Sequence, residues 1–187
     1  MARKKNNTIT IEDIQKIGWK KFLLLVIIAA AAYFFGVQEQ QDNSGLIAGT
    51  ISRVVDGDTA VIMVDGQERR VRFLGVDTPE TVHPNKPVQF YGKEASNFTK
   101  SQLTGKRVWL EYDASPQDRY NRHLAYIWTA KPKTIDEAAI RRDMFNAKLL
   151  LGGYAKVMII KPNKKYEVLF RQFEKEARNA NKGLWSQ

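Results

Sequence analysis

Cysteine is absent from this chain, and histidine occurs only twice, as His83 and His123. The first absence excludes disulfides, thiolate catalysis and zinc–thiolate sites, and the second excludes a histidine-rich metal centre. Neither fixes the compartment, because many exported proteins also lack disulfides. Internal repeats and low-complexity tracts are missing too. Negative charge is scarce: 20 Asp+Glu stand against 30 Lys+Arg, for a formal net charge of +10. Long apolar runs are missing except at one place near the N-terminus, which excludes a multi-span membrane protein. A hydrophobic content of 43% is nevertheless enough to fill a core, so the chain is not wholly disordered. Its 187 residues suit one domain with an appendage.

The exceptional run is Phe22–Val37, FLLLVIIAAAAYFFGV, directly preceded by Lys20 and Lys21. As a helix its sixteen residues would span about 24 Å, slightly less than a hydrocarbon core of roughly 30 Å, and snorkelling lysines close part of the gap. All six basic residues of 1–41 precede the run. The positive-inside rule therefore keeps a basic N-terminus (1–21) in the cytoplasm and exports the chain beyond residue 37. The preferred reading of 22–37 is a transmembrane signal anchor. A cleaved signal peptide is the alternative, since Ala29–Ala32 supplies small residues, although Tyr33, Phe34 and Phe35 prolong the apolar stretch beyond them. An ordinary buried helix is disfavoured because the run is apolar all round. Residues 38–45 (QEQQDNSG) read as a polar linker, and 46–187 as the globular domain. That domain is itself basic, with 24 Lys+Arg and 17 Asp+Glu from residue 42 onward, which favours a polyanionic partner.

Within the domain, strand patterns cover Leu46–Val55, Thr59–Val64 and Glu68–Leu74, the last two joined by the hairpin signal Asp65-Gly66. In the third strand Val71 and Phe73 alternate with Arg72, so the arginine points away from the apolar face. Lys93–Leu103 reads as a helix, Arg107–Tyr112 and Leu124–Trp128 as strands, and Thr134–Leu151 and Lys164–Ala180 as two further helices. The order predicts an α+β fold: a five-stranded barrel flanked by three α-helices.

Polar residues concentrate in three short stretches. Asp56-Gly57-Asp58-Thr59 joins two strands and by itself reads as a tight turn. Arg72 to Thr81 places an arginine at a strand end before Asp77 and Glu80, and Asp118-Arg119-Tyr120-Asn121-Arg122 reads singly as a polar turn. Together they form a coherent set. Asp58 and Asp77 offer hard oxygen ligands suited to Ca²⁺. Glu80 is a third carboxylate able to orient or deprotonate water, and Arg72 and Arg122 can fork onto phosphate oxygens. These are the parts required for water attack on a phosphodiester.

The segments VVDGDTAVIM, RVRFLGVDTPET, HPNKPVQFYGKEASNFTK, DRYNRHLAYIW and KGLWS, in that order, make residues 46–186 resemble the staphylococcal nuclease (thermonuclease) family. The resemblance implies an OB-fold barrel with three helices. It also implies a Ca²⁺-dependent endonuclease that cleaves DNA and RNA to 3′-phosphate products. By the same resemblance Asp58, Asp77 and the main-chain carbonyl of Thr78 are metal ligands. Glu80 is the general base or the group that positions the water. Arg72 binds and activates the phosphate, and Arg122 stabilises the transition state and helps protonate the leaving oxygen. Arg119 and Tyr120 match a pair that contacts a substrate phosphate.

Three features depart from that pattern. Asn121 replaces a glycine, a change the turn survives because Asn tolerates positive φ. Val157-Met158-Ile159-Ile160 lacks the two tyrosines that cradle the nucleotide in the best-known member, leaving Tyr154 as a candidate replacement or a packing aromatic. The stretch 132–148 is longer than in that member. The expected partners are DNA, RNA and, through residues 22–37, a membrane; the chain is expected to be monomeric, with its domain outside the cytoplasm or, after cleavage, secreted. A non-catalytic nucleic-acid-binding module on the same fold is the alternative, but such modules lose the carboxylates and arginines kept here.

Overall fold

The computed structural model describes residues 45–81 and 89–186, together with Lys21, Leu24 and Ile27. The chain divides into two compact units, Met1–Asn43 and Ser44–Gln187. In the first, Lys21, Leu24 and Ile27 are helical and exposed. The rest of the predicted membrane segment 22–37, the basic N-terminus and the linker up to residue 44 lie outside the described residues. Among the described residues no helix is long and apolar enough to cross a membrane.

The second unit is built on five strands, β1 (Leu46–Asp56), β2 (Thr59–Val64), β3 (Gln67–Phe73), β5 (Arg107–Gln117) and β6 (His123–Trp128), closed into a barrel in the order β1-β2-β3-β6-β5. All pairings are antiparallel except β3 with β6, whose parallel register of Val71 with His123 and Phe73 with Ala125 closes the barrel. Alternation puts Ile51, Ile62, Val71, Phe73, Leu110 and Ile127 inside, each 1% exposed or less. Burying such a side chain contributes about 1.5–3 kcal/mol. Register shifts along β1 between Ile51 and Arg53 and between Val54 and Asp56 bend its end, as bulges do. Two strands of three residues each, β4 (Gly75–Asp77) and β7 (Lys156–Met158), form a separate ribbon in which Asp77 faces Lys156.

Among the described residues of this unit four α-helices, not the expected three, pack on this frame: α1 (Gly92–Leu103), α2 (Glu137–Asp143), α3 (Phe145–Leu151) and α4 (Glu167–Asn179). The single helix expected over 134–151 starts later, where Asp136 Oδ1 caps the Ala139 N–H at 2.7 Å, and it is broken at Met144. Met144 is extended (φ −84°, ψ 118°) and bridges Trp128, while the N–H of Thr129 donates to the carbonyl of Asp143. The end of β6 thus captures two residues that the apolar periodicity assigns to a continuous helix. The barrel and helices give an α+β, OB-like fold.

Candidate active site

Two sharp joints bring the polar stretches together. Gly75 turns β3 into β4 with φ +75°, and a Cβ there would sit 2.5 Å from the Phe170 ring, so only glycine fits. Gly57, between β1 and β2, lies so close to Thr78 that a Cβ would meet Thr78 Oγ1 at 2.6 Å. The Asp-Gly-Asp turn is therefore a point of contact between the barrel rim and the segment after β4. Helices fix both joints. Thr99 Oγ1 of α1 donates to the Gly57 carbonyl at 2.6 Å, and Asn146 Nδ2 of α3 donates to the Leu74 carbonyl at 2.8 Å. Asn146, fully buried, also accepts the Ile127 N–H at 2.8 Å, so one amide clamps the ends of two strands.

Asp58, Arg72, Asp77, Thr78, Glu80 and Arg122 all line one cleft of about 270 Å³ at this rim. Asp58 Oδ2 accepts the main-chain N–H of Thr78 at 2.9 Å and its hydroxyl at 3.1 Å. Arg72 is buried and bridges two carboxylates: its NH2 lies 3.1 Å from Asp58 Oδ2 and 2.9 Å from Asp77 Oδ1. Its NH1 donates to the carbonyls of Phe73 at 2.8 Å and Val76 at 2.7 Å, which fixes the guanidinium in place. Asp77 is half exposed, and its Oδ2 accepts no hydrogen bond among the described residues. Burial, together with the charges of Asp58 and Glu80, pushes the Asp77 carboxyl above the usual carboxylate range, and Arg72 only partly offsets this.

Arg122 approaches from the β5–β6 turn. Asp118 holds it with Oδ2, 2.8 Å from both Nε and NH2, and accepts the main-chain N–H groups of Tyr120 and Arg122 on Oδ1. Burial opposes ionisation of Asp118, but these bonds outweigh it and hold the carboxyl below its ordinary value. Asn121 adopts φ +60°, as expected of a glycine-like turn position. Arg119 and Tyr120 stand outside the cleft lining. Arg119 NH2 donates to the Tyr120 hydroxyl at 2.7 Å, and the Tyr120 ring, 64% exposed, lies 5.6 Å from the Arg122 guanidinium.

Three contributors have no role in the sequence reading. Asp118 goes unassigned there because an aspartate in a turn is unremarkable; its four-residue spacing from Arg122 is the usable signal. Asp56, buried, accepts the Gly57 N–H and the Thr81 hydroxyl on Oδ1 at 2.8 and 2.6 Å, and burial raises its carboxyl. Arg70 also lines the cleft, two residues before Arg72 on the same face of β3, its side chain making no hydrogen bond or ion pair among the described residues. Tyr154 stacks on Phe98 with ring centroids 4.2 Å apart and is not among the cleft residues, whereas β7 contributes Met158. The aromatic reading of Tyr154 is thus packing.

Residues 70–187 match the Staphylococcal nuclease homologue family. The chain belongs to the staphylococcal nuclease family. It is 50% identical over 135 residues to a thermonuclease from Staphylococcus intermedius, covering 72% of this chain and 74% of that one. A thermonuclease from Staphylococcus hyicus is 47% identical over 136 residues, with 73% and 74% covered. Endonuclease YncB from Bacillus subtilis is 35% identical over 153 residues, with 81% and 67% covered. Within this staphylococcal nuclease homologue the cleft combines carboxylates, guanidinium groups and an open face.

Proposed function

We propose that this chain is a Ca²⁺-dependent nuclease that hydrolyses DNA and RNA to 3′-phosphate products. The observation that carries the reading is the meeting of Asp58, Asp77, Glu80, Arg72 and Arg122 around one cleft. The thermonucleases and the endonuclease among its relatives support it.

The donor set fits a hard dication. Asp58 and Asp77 reach the same guanidinium group, Asp77 keeps an oxygen unpartnered among the described residues, and burial, with a smaller share from the charges of Asp58 and Glu80, raises its carboxyl. Asp58, Asp77 and the main-chain carbonyl of Thr78 are the groups assigned to the ion; among the described residues no three His, Cys, Asp or Glu side chains stand at ligand spacing. When bound there, Ca²⁺ supplies positive charge at the phosphoryl oxygen and makes water more acidic. Glu80 orients the attacking water and takes its proton. Arg72, held in place by the carbonyls of Phe73 and Val76, offers its NH2 end to a phosphate oxygen. Arg122, gripped by Asp118, supplies positive charge to the oxygens of the phosphorus centre and of the leaving group, and the leaving oxygen takes its proton from a solvent water in the open cleft. Arg119 and Tyr120 contact a substrate phosphate at the outer edge of this turn. Residues 22–37 hold the domain on the exported face of a membrane.

The test is turnover by the full chain on single- and double-stranded DNA and on RNA with Ca²⁺, Mg²⁺ or chelator. Cleavage to 3′-phosphate ends with Ca²⁺, and none with chelator, is expected. Chelator-insensitive cleavage overturns the metal assignment, and binding without cleavage turns the domain into a recognition module. Retention on membranes through a high-salt wash tests the anchor, and release of a shortened soluble form replaces it with a cleaved signal.

A further inference from the structure

A second recess of about 300 Å³ adjoins the catalytic cleft and shares Asp77 and Thr78 with it. Its other walls include Gln89, Phe90, Lys156 and Leu184, none of which has a part in the chemistry above. Phe90 is 54% exposed, and its one ring contact among the described residues is a tilted approach to Tyr91 at 5.8 Å. A large aromatic face left open beside a reaction centre is available for stacking. Lys156 faces Asp77 in the β4–β7 register, yet makes no ion pair among the described residues; its Nζ lies 5.7 Å from the Trp185 ring. Gln89 is fixed at both ends. Its Oε1 accepts the Glu80 N–H at 3.1 Å, and its own N–H donates to the Glu80 carbonyl at 3.1 Å. This leaves the Gln89 amide N–H groups without a partner among the described residues.

Resting on the nuclease reading, we propose that this recess is a nucleotide subsite for the residue next beyond the pair that flanks the scissile phosphate. The base stacks on Phe90, its edge meets the Gln89 amide, and Lys156 takes the neighbouring phosphate. An aromatic face, an amide and an ammonium with no ion pair among the described residues suit a nucleotide better than an apolar peptide. Stacking on a single ring is also tolerant of base identity, because every base has a π-face. Arg70 and Arg122 line the first cleft only, so the recess extends the substrate track beyond Asp77 and Thr78 on the side away from those cations. The enzyme accordingly prefers a strand that occupies both recesses over a short diester that fills one.

Two measurements on the full chain decide this. The first is anisotropy of a labelled single-stranded octanucleotide in chelator, where no turnover is expected. Phe90→Ala raises Kd about tenfold and Phe90→Trp restores it, as loss and return of one stacked base require. Lys156→Gln lowers the slope of log Kd against log salt by about 0.7, the signature of one lost single-strand phosphate contact. The second is kcat/KM with Ca²⁺ across a series from dinucleotide to hexanucleotide. Wild type gains with length over one step, and Phe90→Ala removes that step through KM while the dinucleotide rate is kept. Unchanged binding and an unchanged length dependence in both variants overturn the subsite. An equal loss of kcat on every length also overturns it and makes Phe90 a support for Glu80. If wild type cuts nothing, the nuclease reading fails while the binding arm still judges the recess.

Discussion

The barrel gathers carboxylates in two places, and they are treated in opposite ways. On β5, Glu111 is 4% exposed and saturated with donors. Trp128 Nε1 donates to Oε2 at 2.7 Å, the Tyr166 hydroxyl lies 2.8 Å from Oε1, and Lys165 Nζ pairs with Oε1. At the rim, Asp56, Asp58, Asp77 and Glu80 line one cleft, and two of them, Asp58 and the half-exposed Asp77, share the single guanidinium of Arg72. A buried charge with every lone pair met ties elements together. A cluster with charge left over costs stability and keeps its electrostatics for a ligand. The contrast separates a structural lock from a reaction centre by burial and bonding partners alone.

Mutations sharpen that contrast in order of expected size. Glu111→Ala strands an indole N–H, a phenol and an ammonium, and should lower unfolding free energy by about 3 kcal/mol in urea titrations. Activity per folded molecule should stay near wild type; a selective loss of turnover would erase the distinction. Arg122→Lys should lower kcat about a hundredfold with an unchanged melting temperature, because an ammonium cannot keep the Asp118 grip and face phosphate with a planar fork. A near-normal rate would remove Arg122 from the chemistry.

Asp77→Asn should do the reverse of Glu111→Ala: turnover falls, yet in chelator the melting temperature rises by about 2 °C at pH 7. Burial and the nearby acids raise the Asp77 carboxyl in the folded state, so folding holds that proton more tightly than the unfolded chain does. Its stabilising share is whole below the unfolded value and is lost as pH rises through the folded one. The advantage of the asparagine variant should therefore grow from pH 4 to pH 7, and a shrinking advantage would refute the charge surplus. The smallest effect is expected for Arg70→Ala. It should weaken single-strand binding several-fold and lower the salt slope by about 0.7, with kcat kept, because Arg70 stands one side-chain repeat from Arg72. An unchanged slope would mean that Arg70 faces water alone.

The barrel strands were legible because runs of β-branched and apolar residues lie between turn signals, and β2 runs over the predicted Thr59–Val64. The β4–β7 ribbon was not, since three residues hold too little pattern to register. The break at Met144 escaped for a different reason. Both halves of the segment bury one face, with Ile140, Met144 and Ala147 inside, so the apolar spacing continues through residues whose backbone pairs with Trp128. In the cleft, Asp58, Arg72, Asp77, Glu80 and Arg122 could be named from residue type and order. The restraints that place them could not, because Thr99, Asn146 and Gly57 act through main-chain carbonyls and close approach.

The grip of Asp118 on Arg122 has a consequence for how this surface changes over time. One carboxylate fastens both the guanidinium and the main chain that carries it, and the Asp118 N–H closes the loop on the Arg122 carbonyl at 3.0 Å. The three residues between them are thereby relieved of any duty to aim the arginine. Positions 119 to 121 can be rewritten so long as the left-handed turn at 121 is respected, letting strand preference drift while the cutting step stays intact.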